Sequence, residues 1–126
     1  MSANYKRVYI CSPLRDKSWI NKIQNAAHAQ TYMRQTAEQY GCRAYAPHGY
    51  LPFLLDDNDP AERALALSFG KELMKLCDAL VVYGDVISEG MCGEIRFAHE
   101  LGIPILTMGG SFGIEAKIQS IADEKG

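Results

Sequence analysis

Ala79-Leu80-Val81-Val82-Tyr83 is followed, after a polar turn over residues 84–89, by Gly90-Met91-Cys92-Gly93-Glu94-Ile95-Arg96-Phe97-Ala98-His99-Glu100-Leu101-Gly102-Ile103-Pro104. The first run is short, apolar and rich in β-branched residues, as in a strand buried on both faces. The second opens on glycine, carries apolar residues at helical spacing and stops at Gly102 and Pro104. Together they read as strand, loop and a helix opening near Gly90. Such a unit belongs to an open parallel sheet, where ligands bind at the carboxyl ends of strands beside the free N–H groups of helix starts. Glu94 then falls in the first turn of a helix at that edge. The positive end of the helix dipole favours its ionised form, the form a carboxylate nucleophile needs. The ordinary alternative is a Glu that only complements the dipole.

Working outward, Arg7-Val8-Tyr9-Ile10-Cys11 is a second β-branched and aromatic run, ended by Ser12-Pro13. The loop Ser12-Pro13-Leu14-Arg15-Asp16 supplies a hydroxyl donor and a guanidinium fork, the groups that hold a phosphate or a sugar hydroxyl, or else it is a solvated surface loop. Over residues 18–40, Trp19, Ile23, Ala26, Ala27, Met33, Ala37 and Tyr40 recur at helical spacing, and Gly41 closes the helix. Residues 42–46 return to strand character before Pro47, which makes a right-handed βαβ unit. His48 lies just past that strand end, where it either faces the crevice or serves the structure. Residues 46–60 mix aromatics, prolines and acids, and Asp59 is placed to cap a helix starting at Pro60. That helix, 60–77, sets Leu65, Phe69, Leu73, Leu76 and Cys77 on one face. Gly70 in its middle costs about 1 kcal/mol relative to Ala, which implies close packing or close approach of a ligand. A fourth strand over 103–108 and a final helix over 114–123 complete the pattern. The order βαβ(loop)αβαβα predicts an α/β fold: a three-layer sandwich, flavodoxin/Rossmann-like, with a parallel sheet of four to five strands and helices on both faces.

The 126 residues suit one domain. A net charge of −2 with a pI near 5.9 gives no reason to expect a nucleic-acid partner. Cys11, Cys42, Cys77 and Cys92 lack CxxC spacing and read as buried free thiols of a reducing compartment. His28, His48 and His99 show no ligand spacing with them, so neither a metal nor another cofactor is expected. The start is too polar for a signal peptide and no apolar run approaches the roughly 18 residues of a membrane span. The expectation is a cytoplasmic protein without membrane contact.

These residues resemble the nucleoside 2-deoxyribosyltransferases and their relatives, the nucleoside-monophosphate N-glycosidases. The likeness rests on Val8-Tyr9-Ile10-Cys11-Ser12-Pro13-Leu14-Arg15, on Cys77-Asp78-Ala79-Leu80-Val81-Val82-Tyr83 and on the Gly90-Met91-Cys92-Gly93-Glu94-Ile95 helix start with its Leu101-Gly102-Ile103-Pro104 continuation. The stretch around Ala46-Pro47-His48 and Phe53-Leu54-Leu55-Asp56-Asp57-Asn58-Asp59-Pro60 is similar to an uncharacterised bacterial and phage branch. The resemblance implies a single domain of that type over 1–126, a nucleoside or nucleotide as small-molecule partner, and a homodimer or higher homo-oligomer. It implies that Glu94 attacks the anomeric carbon and expels the base, leaving a glycosyl ester that water or a second base resolves, the logic of a retaining glycosidase. Tyr9 would position that nucleophile. Ser12, Pro13 and Arg15 would lie in the phosphate-holding loop, with Ser88, Gly90 and Met91 in the turn over the sugar; His48, read from its place alone, is a further candidate for the substrate.

Two departures stand out. The aspartate that handles the base proton in the transferases falls on Gly70, which leaves Asp57, Asp85 and His48 as candidates for the acid. The transferases also extend past the last helix to complete a neighbouring subunit's site, and this sequence stops at Gly126. On that resemblance a hydrolase or a binding protein is expected rather than a transferase. The rival class is a nucleotide-binding or sensing module that keeps the crevice without turnover. A flavin-binding protein is a third reading, against which stands the lack of a Ser/Thr/Gly-rich loop after the first strand.

Overall fold

Side chains that alternate along two short runs set the layers. A computed structural model describes residues 5–13, 19–56 and 58–124. Its elements are β1 (Arg7–Cys11), α1 (Trp19–Tyr40), β2 (Arg43–Tyr45), two 3-10 turns (Pro47–Gly49 and Leu51–Phe53), α2 (Pro60–Met74), β3 (Ala79–Tyr83), α3 (Glu89–Leu101), β4 (Ile105–Met108) and α4 (Ile114–Asp123). All pairings are parallel in the order β2-β1-β3-β4, with Tyr9 opposite Tyr45 on one side and Leu80 on the other. Along β1 and β3, Val8, Ile10, Ala79, Val81 and Tyr83 pack toward α1 with Ala29 and Ala44. Tyr9, Cys11, Leu80 and Val82 face the other way, against Met74 of α2, Met91, Ile95 and Ala98 of α3, and Ile114 and Ile118 of α4. The result is the expected three-layer α/β architecture, with four strands among the described residues. The chain runs outward from β1 to β2, then returns across β1 to β3 and on to β4. The reversal puts the topological switch point between β1 and β3, and in open α/β sheets the crevice that takes a ligand lies at the carboxyl ends of the strands at such a point.

Three local expectations shift. The buried stripe of α1 is Ala26, Ala29 and Thr36, with Met33 and Ala37 partly covered, whereas Ile23 and Ala27 face outward. Small residues let α1 approach closely: Gln30 Nε2 donates to the Gly49 carbonyl at 2.8 Å, and a Cβ on Gly49 would sit 3.4 Å from that of Ala29. Thr36 is tolerated there because its hydroxyl pairs with that of Tyr83 at 2.5 Å. α2 also departs from expectation. Its cap is as read, with Asp59 accepting from Ala61 N and Glu62 N. Leu65, Phe69 and Leu76, however, are 58%, 49% and 61% exposed. Periodicity identifies residues that share a stripe, but of the five expected here only Leu73 and Cys77 join the core beneath, beside Met74. α2 ends at Met74 because Leu76 N and Cys77 N bond back three residues, to Leu73 O and Met74 O, tightening the chain into β3. Of the cysteines, Cys11 and Cys77 are buried and Cys42 and Cys92 only partly so. No helix among the described residues is long and apolar enough to cross a membrane.

The α1 stripe is tested by urea unfolding of Ala29→Leu and Ala27→Leu. Overpacking against Gly49 is expected to cost Ala29→Leu about 1–3 kcal/mol, and Ala27→Leu is expected to stay within about 0.5 kcal/mol of the parent.

Candidate active site

β1 carries two polar hydrogens into a dry layer. Tyr9 is 3% exposed and Cys11 is 0% exposed, both on the face turned toward α2 and α3. A buried hydroxyl and thiol need an acceptor. Glu94 of α3 brings its carboxyl group beside both side chains, which stabilise its charged form, and the Cys11 thiol also lies 3.9 Å from the Met91 carbonyl oxygen. Tyr9 is in turn covered by α2 at the one residue that allows it. A Cβ on Gly70 would lie 3.0 Å from the Tyr9 hydroxyl, so the mid-helix glycine serves close packing.

α3 delivers Glu94 from a well-defined start. Ser88 caps the helix, its hydroxyl accepting from Met91 N at 3.3 Å, while Met91 Sδ accepts from Ser88 N at 3.4 Å. This is a capping box with a thioether where Glu or Gln is usual. The helix begins at Glu89, so the first-turn acid is Glu89 and Glu94 lies in the second turn. This corrects the dipole argument, whose effect fades beyond the first turn. Burial decides instead, pushing the Glu94 carboxyl up to about 7 against the smaller lowering by Tyr9 and Cys11. Glu94 keeps some surface exposure as a residue even though protein surrounds its carboxyl group. Burial and the neighbouring carboxylate raise Tyr9 and Cys11 well above their usual values, so both stay protonated as donors.

A second pair stands at the end of β1. Ser12, 5% exposed, has its Oγ 2.6 Å from His48 Nε2. His48 comes from the turn Pro47–Gly49, which Gln30 ties to α1. Burial lowers His48 to about 4, so the imidazole is neutral near pH 7. Past the carboxyl end of β3, Asp85 accepts from Ser111 N at 2.5 Å and Ser111 Oγ at 2.9 Å, after β4. Those bonds hold its carboxyl below the usual range and stitch the two loops together. Pro13 follows Ser12 and is partly buried, and a Cβ on the exposed Gly90 would meet open space. Met91, expected to face a ligand, is 2% exposed and packs in the core, because its sulfur is committed to the cap. Arg15 and Asp57 lie outside the described residues. A hollow of about 550 Å³ between β4 and α4, lined by Ile105, Thr107, Ile118 and Gln119, includes none of these groups.

Compared with known proteins, residues 6–108 match the family described as a domain of unknown function (DUF7768). The chain belongs to the DUF7768 family. No curated protein matches it. Among solved structures, it is similar to a 2-deoxyribosyltransferase from the psychrotolerant bacterium Bacillus psychrosaccharolyticus, characterised as a biocatalyst for industrial synthesis of antiviral and antitumoral nucleosides. The TM-score is 0.63 at 14% identity, over 94% of this chain and 92% of that one. At that identity the likeness establishes the fold. Within this DUF7768 chain, the residues brought together are Tyr9, Cys11 and Glu94 in one group and Ser12 with His48 in another, while Asp85 stands apart with Ser111. Cys11 was not singled out from sequence as a partner of Glu94. The signal was present, since it lies two residues after Tyr9 and so shares its face of the strand.

A carboxyl whose folded value exceeds its ordinary 4.5 binds its proton more tightly in the native state. Its contribution to stability is full below about pH 4.5 and is lost as pH rises through about 7. Glu94→Gln is therefore expected to be more stable than the parent at pH 8, by ~1–3 kcal/mol, and close to it at pH 4.5. Thermal melts at the two pH values check this.

Proposed function

We propose that this protein cleaves the N-glycosidic bond of a nucleoside or nucleoside 5′-monophosphate, as a hydrolase or 2-deoxyribosyltransferase, through a covalent glycosyl-Glu94 intermediate. The observation that carries this reading is the buried carboxyl group of Glu94, held beside Tyr9 and Cys11 near the β1/β3 switch point. The resemblance of the Tyr9 strand and the Glu94 helix to the deoxyribosyltransferases adds the chemistry, and the shared fold supports it. In the first step a Glu94 oxygen bonds to C1′ as the C1′–N bond breaks, and the electron pair leaves with the base, which takes a proton. Water, or a second base, then attacks C1′ and releases the carboxylate, with net retention. No metal or other cofactor enters this scheme.

Ser12 suits the 5′-phosphate. Neutral His48 with its proton on Nε2 donates to Ser12 Oγ, which leaves the Ser12 hydroxyl proton free for an anionic oxygen. Arg15, Ser88 and Gly90 complete the proposed substrate contacts. The proton for the base is where a second reading gains support. Gly70 has no side chain, Asp85 is held ionised by Ser111, His48 is neutral, and the Tyr9 hydroxyl is committed to Glu94. Asp57 or solvent must then supply it. If neither does, the protein is a nucleotide-binding or sensing module without turnover.

A panel of 2′-deoxynucleosides and their 5′-monophosphates, followed by chromatography of free base, tests the enzyme. Base release is expected to rise with pH through about 7, as Glu94 ionises, and to fall at least ~10³-fold in Glu94→Ala. Equal release by Glu94→Ala overturns the mechanism. No release, with ligand-dependent thermal stabilisation, supports the sensor. Ser12→Ala is expected to raise KM for monophosphates about tenfold and to leave nucleosides unchanged, as expected for one lost hydrogen bond to a charged group.

A further inference from the structure

The sheet ends at β4, and that border is open. Among the described residues β4 pairs with β3 alone. The Pro104 and Met108 carbonyls accept from Leu80 N and Gly84 N at 2.9 Å each. Along a strand the backbone groups point alternately to one side and the other, so Leu106 also bonds β3, while Ile105 and Thr107 turn their N–H and C=O groups outward. Natural sheets guard such a border with a charge, a proline or a bulge. Ile105-Leu106-Thr107-Met108 carries none of these, whereas β2, at the other border, opens on the exposed Arg43. Beside β4 lies the hollow of about 550 Å³, with Tyr40 of α1 on one side of the sheet and Glu115 and Gln119 of α4 on the other. It runs between two helical layers, where a further strand of the sheet would lie.

We propose that this edge pairs antiparallel with the same edge of a second copy, joining two four-stranded sheets into one continuous sheet. The order of donors and acceptors selects this occupant. A two-fold axis through Leu106 sets Ile105 of each copy opposite Thr107 of the other, and every outward N–H meets an outward carbonyl. Neighbouring registers fail. Centring on Ile105 calls on the Ile103 N–H, which already donates to Ala98 O at 3.2 Å, and centring on Thr107 calls on Gly109, whose φ of +69° has left the strand. The side chains agree with the axis. Leu106 meets its own copy on the α1 face, where a single chain covers it only in part. On the other face His99, in the last turn of α3, lies toward the start of β4, and Glu115, in the first turn of α4, toward its end. Antiparallel copies bring the start of one β4 to the end of the other. The basic side chain of each copy then comes beside the acidic side chain of its partner, and the two Glu115 stay apart. The pairing is independent of the chemistry proposed above, because β3 separates β4 from the β1/β3 switch point.

Light scattering on the full chain, with Thr107→Pro beside the parent, tests this. The Thr107 N–H faces outward, so proline there removes no bond to β3, and edge strands tolerate it. The parent is expected at twice its chain mass of 14.0 kDa, and Thr107→Pro at the single mass with an unchanged circular dichroism spectrum. Oxidative crosslinking reads the register. Residues opposed without hydrogen bonds in an antiparallel pair have Cα atoms about 4.5 Å apart, within reach of a disulfide. Leu106→Cys is therefore expected to yield a covalent dimer that a thiol reductant dissolves. Thr107→Cys, offset from its own copy, should yield no more than the parent, which controls for the partly exposed Cys42 and Cys92. A parent of single-chain mass at every concentration leaves the edge to an extended segment of another protein and overturns the proposal, as does a dimer that Thr107→Pro leaves whole. If Thr107→Pro does not fold, the crosslinks decide: no bond through Leu106→Cys, or an equal one through Thr107→Cys, refutes the pairing.

Discussion

From Val8 to Cys11, β1 is covered on both faces, so no side chain of that run reaches bulk water. Val8 and Ile10 meet that condition with hydrocarbon, while Tyr9 and Cys11 bring a hydroxyl and a thiol into the same dry interior. Two buried donors without an acceptor would cost several kcal/mol between them. The acceptor is Glu94, and much of the site follows from that requirement. α3 must come close enough to present its second turn, α2 must lack a side chain at Gly70 to clear the phenol, and Met91 must turn inward to cap α3. The strand at the centre of the sheet thus dictates which faces its helices show.

The same contact sets a tension between folding and chemistry. Protonated, Glu94 is comfortable where it sits. Ionised, it is supported by two weakly acidic donors and opposed by the loss of water, and its value near 7 reports that balance. A carboxylate held this way is poorly solvated, which makes it a better nucleophile than one lying in a surface ion pair. Glu89, exposed at the true first turn of α3, shows the contrast: the dipole supports it and nothing buries it.

Much of this was legible in the residues. Runs of β-branched and aromatic side chains located β1 and β3, Gly41 and Gly102 marked helix ends with φ of +61° and +74°, and Asp59 capped α2 as its type and place required. Those signals are local, and local energetics decide them. What the residues did not reveal depends on distance. Whether the Leu65, Phe69 and Leu76 stripe is covered depends on how far the sheet extends beneath α2. The partnership of His48 with Ser12 depends on a turn tied to α1 by Gln30, and that of Glu94 with Cys11 on the register of a helix against a strand. Glu94 lies in the second turn of α3, past the reach of the helix dipole, so its protein surroundings and not its place in the helix decide its charge.

The stitch between the loops after β3 and β4 has a consequence for any visitor to that side of the crevice. Asp85 grips Ser111 twice, and the backbones approach so closely that a Cβ on Gly110 would lie 3.2 Å from the Gly84 carbonyl oxygen. Two segments that would otherwise wander independently are joined into one wall before anything arrives. An incoming molecule meets a surface whose disorder has already been surrendered to folding, so less of its contact energy goes into freezing the rim and more remains as affinity.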